Sequence, residues 1–156
     1  MKGAVYREAR DSDAPKMARV LRDSIRQLCV EDHGGGERPL QEWLANKTDE
    51  SVRLWLKNPA NVLLVAEADS EIAAVGGLQK DGHVILNYVA PGFRFQGISK
   101  GMMAELERRA LQLGIDALTL ESTVTARRFY LALGYRDEGE PGERFGLRNF
   151  PMSKII

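Results

Sequence analysis

Cysteine is almost absent: Cys29 stands alone. It can form no internal disulfide, which suits a reducing compartment. No apolar run approaches the length of a membrane span. The first residues carry Lys2, Arg7, Glu8 and Arg10 and show no secretory pattern, so a soluble cytoplasmic protein is expected. There is no excess of charge, with 22 Lys plus Arg against 22 Asp plus Glu. No nucleic-acid or membrane partner is expected from that balance. Repeats, low-complexity tracts and an interdomain linker are also missing. A chain of 156 residues then reads as one domain with room for a real core. Two phosphate-binding signatures are lacking as well. Gly92 and Gly97 have Walker spacing, but Ile98 and Ser99 follow where Lys and Ser/Thr are needed. No Gly-x-Gly-x-x-Gly occurs.

What is present centres on the stretch from Asn87 to Leu113. It begins as an extended apolar segment, breaks at Pro91-Gly92, passes a basic glycine-containing loop and enters a long helix. Met103, Leu106, Ala110 and Leu113 recur at steps of three and four and share one apolar face. Glu105 and Arg109 are placed for an i,i+4 pair, and Gly114 sits where a left-handed cap closes a helix. A loop rich in backbone N–H groups at a helix N-terminus makes an anion site, because the first-turn donors are unpaired and the dipole is positive there. Arg94 and Lys100 add charge, and phosphate is the natural guest.

Around this stretch, Val5 to Glu8 reads as a first strand. Asp11 to Asp13 followed by Pro15 reads as a helix start, with Met17, Val20, Leu21, Ile25 and Leu28 as its apolar stripe. Glu31 to Gly36 reads as a mobile loop because of its three glycines. Leu40, Trp43 and Leu44 suggest a short second helix. Thr48 caps a third helix with Val52, Trp55 and Leu56, stopped by Pro59. Val62 to Ala68, Ile72 to Gln79 and His83 to Ala90 are strands joined by Asp69-Ser70 and Lys80-Asp81-Gly82, an antiparallel meander. Strand, helix and strand from Tyr88 to Leu118 form a crossover, so that pair is parallel. Gly76-Gly77 inside a strand suggests a bulge with close backbone packing. Phe145 to Ile156 supplies the last strand. The expectation is a mixed α/β sheet of six or seven strands with helices on both faces.

Arg94-Phe95-Gln96-Gly97-Ile98-Ser99 resembles the coenzyme A pyrophosphate loop of the GCN5-related N-acetyltransferases (GNAT), Arg/Gln-x-x-Gly-x-Gly/Ala, with Ser99 in place of the last small residue. Tyr88-Val89-Ala90-Pro91 is similar to the family's strand end. Leu120 to Tyr130, continuing to Leu133-Gly134-Tyr135, resembles its strand, Ser/Asn and helix with Ala-x-x-Phe-Tyr-x-x-x-Gly-Phe/Tyr. The likeness covers Asn61 to Tyr135 well and the rest loosely. It implies one GNAT domain over 1–156, with acceptor-side helices in 1–60, the cofactor core in 61–135 and C-terminal strands in 136–156.

The resemblance implies acetyl-CoA as donor and acetyl transfer to a primary amine of a small molecule or peptide. Tyr88, Val89 and Ala90 would pair with the pantetheine arm, in a cleft where the parallel strands diverge after Val89 and before Ser122. Arg94, Phe95, Gln96, Gly97, Ile98, Ser99, Lys100 and Gly101 would hold the pyrophosphate. Arg127 and Tyr130, in the second motif, would also bind the cofactor, and Ser122 either bonds the pantetheine or caps a helix. Tyr130 matches the family's tyrosine as general acid, since a phenol with pKa about 10 can return a proton to a thiolate whose acid has pKa about 8.5. Glu121, His83 and Glu67 are the candidates for the base. Asn87 interrupts an apolar strand and would orient an acceptor or bond a helix end. Asp32 and His33, in an acidic loop, would meet a cationic amine or form a solvated turn. With Cys29 alone beside them they lack a zinc set, and no metal is expected. Homodimerisation is common in the family, and in this chain it would run through the final strands. A catalytically silent acyl-CoA-binding domain and a nucleotide-binding protein are the rival readings.

Overall fold

The computed structural model describes residues 3–156; Met1 and Lys2 lie outside the described residues. Strand β1 (Val5–Glu8) is followed by a 3-10 turn and helices α1 (Ala14–Leu28), α2 (Val30–His33), α3 (Glu37–Leu44) and α4 (Asp49–Lys57). Then come β2 (Asn61–Ala68), β3 (Glu71–Gln79), β4 (His83–Val89), α5 (Ile98–Gln112), β5 (Ala117–Ser122) and α6 (Arg127–Ala132). Strands β6 (Arg136–Asp137), β7 (Gly142–Arg144) and β8 (Leu147–Ile155) close the chain. They build an eight-stranded sheet in the order β1-β2-β3-β4-β5-β8-β6, with β7 pairing β8.

Alternation along β2 explains the layering. Leu64 and Ala66 point to one buried cluster, with Met102, Met103 and Leu106 of α5. Leu63 and Val65 point to the opposite one, with Met17 and Leu21 of α1 and Val52 of α4. Both faces are therefore covered, as a period of two with apolar residues at every position requires. Asp69 and Ser70 both take positive φ, 51° and 62°, and close the β2–β3 hairpin. The β3–β4 register shifts between Gly77 and Leu78, so a bulge falls at the paired glycines. A Cβ on Gly76 would collide with Met102 Sδ, so the sheet and α5 meet there in backbone-to-side-chain contact.

Helix α5 buries Ile98, Met102, Met103, Leu106 and Ala110, while Leu113 at its C-cap is exposed. The apolar face thus ends one turn earlier than the spacing suggests, because Gly114 (φ 78°) turns the chain away. Arg109 Nε donates to Glu105 Oε1 at 3.3 Å and Arg108 shares the same carboxylate. Glu31 to His33 is a helical turn rather than a loop, closed by Gly34 in the left-handed region. Thr48 accepts from the Ser51 N–H at 3.1 Å and caps α4. The C-terminal region holds three strands, of which only the last was placed in sequence, and the sheet has eight strands where six or seven were expected. β6 and β7 span two and three residues, all exposed, and carry no hydrophobic alternation to read.

Gly101 is set by packing. A Cβ there would overlap the Tyr6 hydroxyl oxygen, and that hydroxyl donates to the Ile98 carbonyl at 3.0 Å. It ties β1 to the first turn of α5, not to the anion loop. Gly101→Val is expected to destabilise the fold by about 3 kcal/mol, since the clash is with a hydrogen-bonded ring that has no slack. Thermal unfolding should show Tm lowered by ~6–12 °C. An unchanged Tm would mean that Tyr6 swings away freely.

Candidate active site

Strands β4 and β5 are parallel but pair only at His83 with Thr119 and Val84 with Leu120. Beyond Val84 they separate, so divergence starts well before Val89, where sequence reasoning put it. The edge of β4 from Ile85 to Val89 is left without a strand partner on that side. A cavity of about 630 Å³ fills the wedge. It is walled by β4, by Leu120 and Glu121 of β5, by Cys29 at the end of α1, and by Phe129 and Tyr130 of α6. At its open end lie Arg94, Phe95, Gly97, Ile98, Ser99 and Lys100.

That end is an anion cradle by construction. Gly97 is the N-cap of α5 with φ 77°, and no side chain caps the helix. The first intrahelical bond runs from the Gly101 N–H to the Gly97 carbonyl at 3.0 Å, which leaves the N–H groups before Gly101 without helical partners. No heavy atom stands within 4 Å of where a Gly97 Cβ would be, so the backbone is open to approach there. Phe95 also has positive φ, 65°, and its ring is 88% exposed. The Arg94 guanidinium lies over that ring, 4.4 Å from its centroid. Neither Arg94 nor Lys100 has a carboxylate partner among the described residues, and both line the cavity at this end.

Tyr130 is buried and reaches the wedge from α6. The Asn87 side-chain N–H donates to its hydroxyl oxygen at 3.2 Å, across the cleft from β4. The phenolic proton then remains free to be donated elsewhere. Burial pushes the phenol up to about 12, with the Asn87 bond pulling the other way. Phe129 and Tyr135 hold the ring edge-on, with centroids at 5.2 and 5.7 Å. Asn87 is thus Tyr130's partner, a role its place in an apolar strand did not show. Burial, and secondarily Asp32, pushes the Cys29 thiol up to about 12, so Cys29 is protonated and no nucleophile.

The three base candidates separate clearly in space. Glu67 is gripped by Arg7, Nε to Oε1 at 2.8 Å, on a strand divided from β4 by β3; it lines no cavity of the cleft. His83 stands at the closed end of the wedge, with Nδ1 and Thr119 Oγ1 2.8 Å apart. Glu121 is at the end of β5, lines the wedge, and also lines a second cavity of about 410 Å³ behind it. Its only side-chain partner among the described residues is Asn149, whose Nδ2 donates at 3.4 Å.

Several other residues are spent on structure. The His33 ring is buried, with Nδ1 accepting from the Gly35 N–H at 2.9 Å and Nε2 on the Ile25 carbonyl at 3.0 Å. Asp32 accepts from the Val124 and Thr125 N–H groups at 2.7 and 3.2 Å and from the Thr125 hydroxyl. It pins the loop between β5 and α6 and offers no free carboxylate to a cation. Ser122 donates to the Thr123 carbonyl at 2.8 Å and caps no helix; Thr123 Oγ1 accepts from the Ala126 N–H in the turn that precedes α6. Arg127 lies over Phe150 and pairs with Asp137, outside the wedge. The Ala90 N–H is used by the Ala73 carbonyl, and Gln96 is exposed away from the lining. Tyr88 lies between the two cavities.

Sequence reasoning missed Lys47. It is 7% exposed in the second cavity, and its ammonium meets only the Asn46 side-chain oxygen among the described residues. Burial, with the like charge of Arg144 second, pushes it down to about 8. The folded state therefore disfavours the protonated form. Below pH 8 the full penalty applies, and it fades as pH rises toward the ordinary value of 10.5. Lys47→Met should raise stability by about 3 kcal/mol at pH 7 and Tm by ~6–12 °C, with the gain shrinking above pH 8. Thermal melts at pH 7 and 9.5 measure this, and a gain that grows with pH would contradict it.

A model of the acetyltransferase (GNAT) domain matches residues 19–156. A GCN5-related N-acetyltransferase from Rhodopseudomonas palustris superposes with TM-score 0.88 at 22% identity, covering 100% of this chain and 98% of that one. The PaiA N-acetyltransferase of Thermoplasma acidophilum, solved in complex with coenzyme A, gives 0.84 at 20% identity over 99% and 100%. An acetyltransferase, yncA, from Salmonella typhimurium, solved with acetyl-CoA, gives 0.68 at 16% over 99% and 94%. No curated protein sequence matches the chain. With a family model spanning most of its length, and with the wedge, the anion cradle and the buried tyrosine in one cleft, the chain belongs to the GNAT acetyltransferase family.

Proposed function

We propose that the protein is an acetyl-CoA-dependent N-acetyltransferase acting on a primary amine of a small molecule or peptide. The observation that carries this is the opening of β4 from β5 beyond Val84, aimed at the uncapped N-terminus of α5. An extended donor ending in a pyrophosphate fits that shape. The free edge of Ile85 to Val89 pairs with amides, and Gly97 to Lys100 cradle the phosphates with Arg94 beside them. The relatives solved with coenzyme A and with acetyl-CoA support the same donor.

Acetyl-CoA supplies an acyl group activated as a thioester. The chain's residues do the rest. A backbone N–H on the unpaired β4 edge stabilises the oxygen that gains charge. Tyr130, protonated throughout the physiological range, returns a proton to the leaving sulfur while Asn87 holds its oxygen in place. An alkylammonium near pKa 10 must lose a proton before it can attack. Glu121, shared by the two cavities, is the group placed to take it directly or through water. Cys29, its thiol pushed up by burial, stays protonated and does not serve as the nucleophile.

The test is amine-dependent thiol release from acetyl-CoA by the wild type and by Glu121→Gln. The variant should lose roughly 10- to 100-fold in kcat/KM at pH 7 and recover as pH rises and free amine appears. An unchanged pH profile would remove Glu121 from the role. Binding of acetyl-CoA without thiol release from any amine would support a silent acyl-CoA-binding domain instead.

A further inference from the structure

The cavity behind Glu121 has an unbalanced set of charges. Lys47 is buried in its wall, and Arg144 and Arg148 stand at its rim. None of the three has a carboxylate partner among the described residues; the two guanidiniums lie over the rings of Phe145 and Phe150 instead. Against them stand two carboxylates. Asp32 is consumed by the Thr125 turn, and Glu121 is the candidate base. A buried ammonium facing a guanidinium, with a neutral amide as its only partner, is costly unless an anion joins it. The backbone beside it is fixed, since Arg22 Nη1 donates to the carbonyls of Leu44 and Lys47, both at 3.4 Å.

We propose that the acceptor amine carries an anionic group, carboxylate or phosphate, on the same molecule, held by Lys47 and Arg144 while the amine end meets Glu121. This rests on the reading of the second cavity as the acceptor side of an acetyltransferase. A volume of about 410 Å³ suits a small molecule. The acidic loop at Asp32 suggested a cationic acceptor; with Asp32 tied to the backbone, Lys47, Arg144 and Arg148 face a single free carboxylate, Glu121, and the balance of the cavity is positive.

Both tryptophans of the chain, Trp43 and Trp55, line this cavity, so intrinsic fluorescence reports its occupancy independently of turnover. Coenzyme A-loaded protein would be titrated with 4-aminobutyrate, its amide, O-phosphoethanolamine and ethanolamine, and thiol release from acetyl-CoA followed with the same four. Anionic members should bind, and be acetylated, at least tenfold better than their neutral counterparts. The carboxylate-to-phosphate ratio names the anion. In Lys47→Gln and Arg144→Gln the preference should fall toward one, through KM or Kd and not kcat. Equal response to acid and amide, a preference for a diamine such as 1,4-diaminobutane, or an undiminished preference in both variants would overturn the proposal while leaving acetyl transfer intact. Anion-selective binding without thiol release would uphold the pocket and contradict the transferase reading.

Discussion

Tyr130→Phe is expected to lower kcat by roughly 10- to 1000-fold and to leave acetyl-CoA affinity within about threefold of wild type. The substitution removes one oxygen and keeps the ring that packs against Phe129 and Tyr135. The loss should therefore appear in the chemical step. Because burial pushes the phenol up to about 12, wild-type Tyr130 does not titrate between pH 6 and 10. The pH dependence of kcat/KM should therefore keep the same shape and the same apparent pKa in the variant. Steady-state kinetics across that range measures both. Equal turnover of wild type and variant at every pH would assign the final protonation to water.

Gly97→Val is expected to raise the Kd for acetyl-CoA by roughly 100-fold. At φ 77° a β-branched side chain is strained, and relief of that strain reorients the N–H groups that open α5. A Cβ there would also enter the space that no protein atom occupies, where the proposed phosphate would approach the backbone. Gly101→Val provides the contrast. Its collision is with Tyr6, so it should reduce Tm more than it weakens the donor. Unchanged acetyl-CoA affinity in Gly97→Val would remove the loop from the donor site.

The loop and helix proposed to hold the donor were legible as structure because they are written in backbone chemistry that sequence records directly. Pro91, Gly92 and Gly97 mark a break and a left-handed entry to a helix, and the apolar spacing of α5 defines that helix and its buried face. The meander was equally plain, since strands joined by two- or three-residue turns have one way to pair. The acceptor side depends on contacts distant in sequence. Asp32 serves a loop more than ninety residues away, and Asn87 meets Tyr130 across 43 positions. Lys47 is buried just beyond the end of α3, where Arg22 of α1 bonds the carbonyls of Leu44 and Lys47, and nothing in its neighbours' polarity announces that. Glu67 and Glu121 look alike as strand-end carboxylates; only the order of the sheet separates the one gripped by Arg7 from the one in the cleft.

The central claim is that the wedge between β4 and β5 receives acetyl-CoA. Isothermal titration of the purified protein with acetyl-CoA, with ATP as the control phosphate ligand, tests it most directly. Saturable micromolar binding of acetyl-CoA, lost in Gly97→Val and absent with ATP, is the predicted result. Equal binding of ATP, or no heat with acetyl-CoA, would contradict the claim and leave Tyr130 and Glu121 facing a cleft of another purpose.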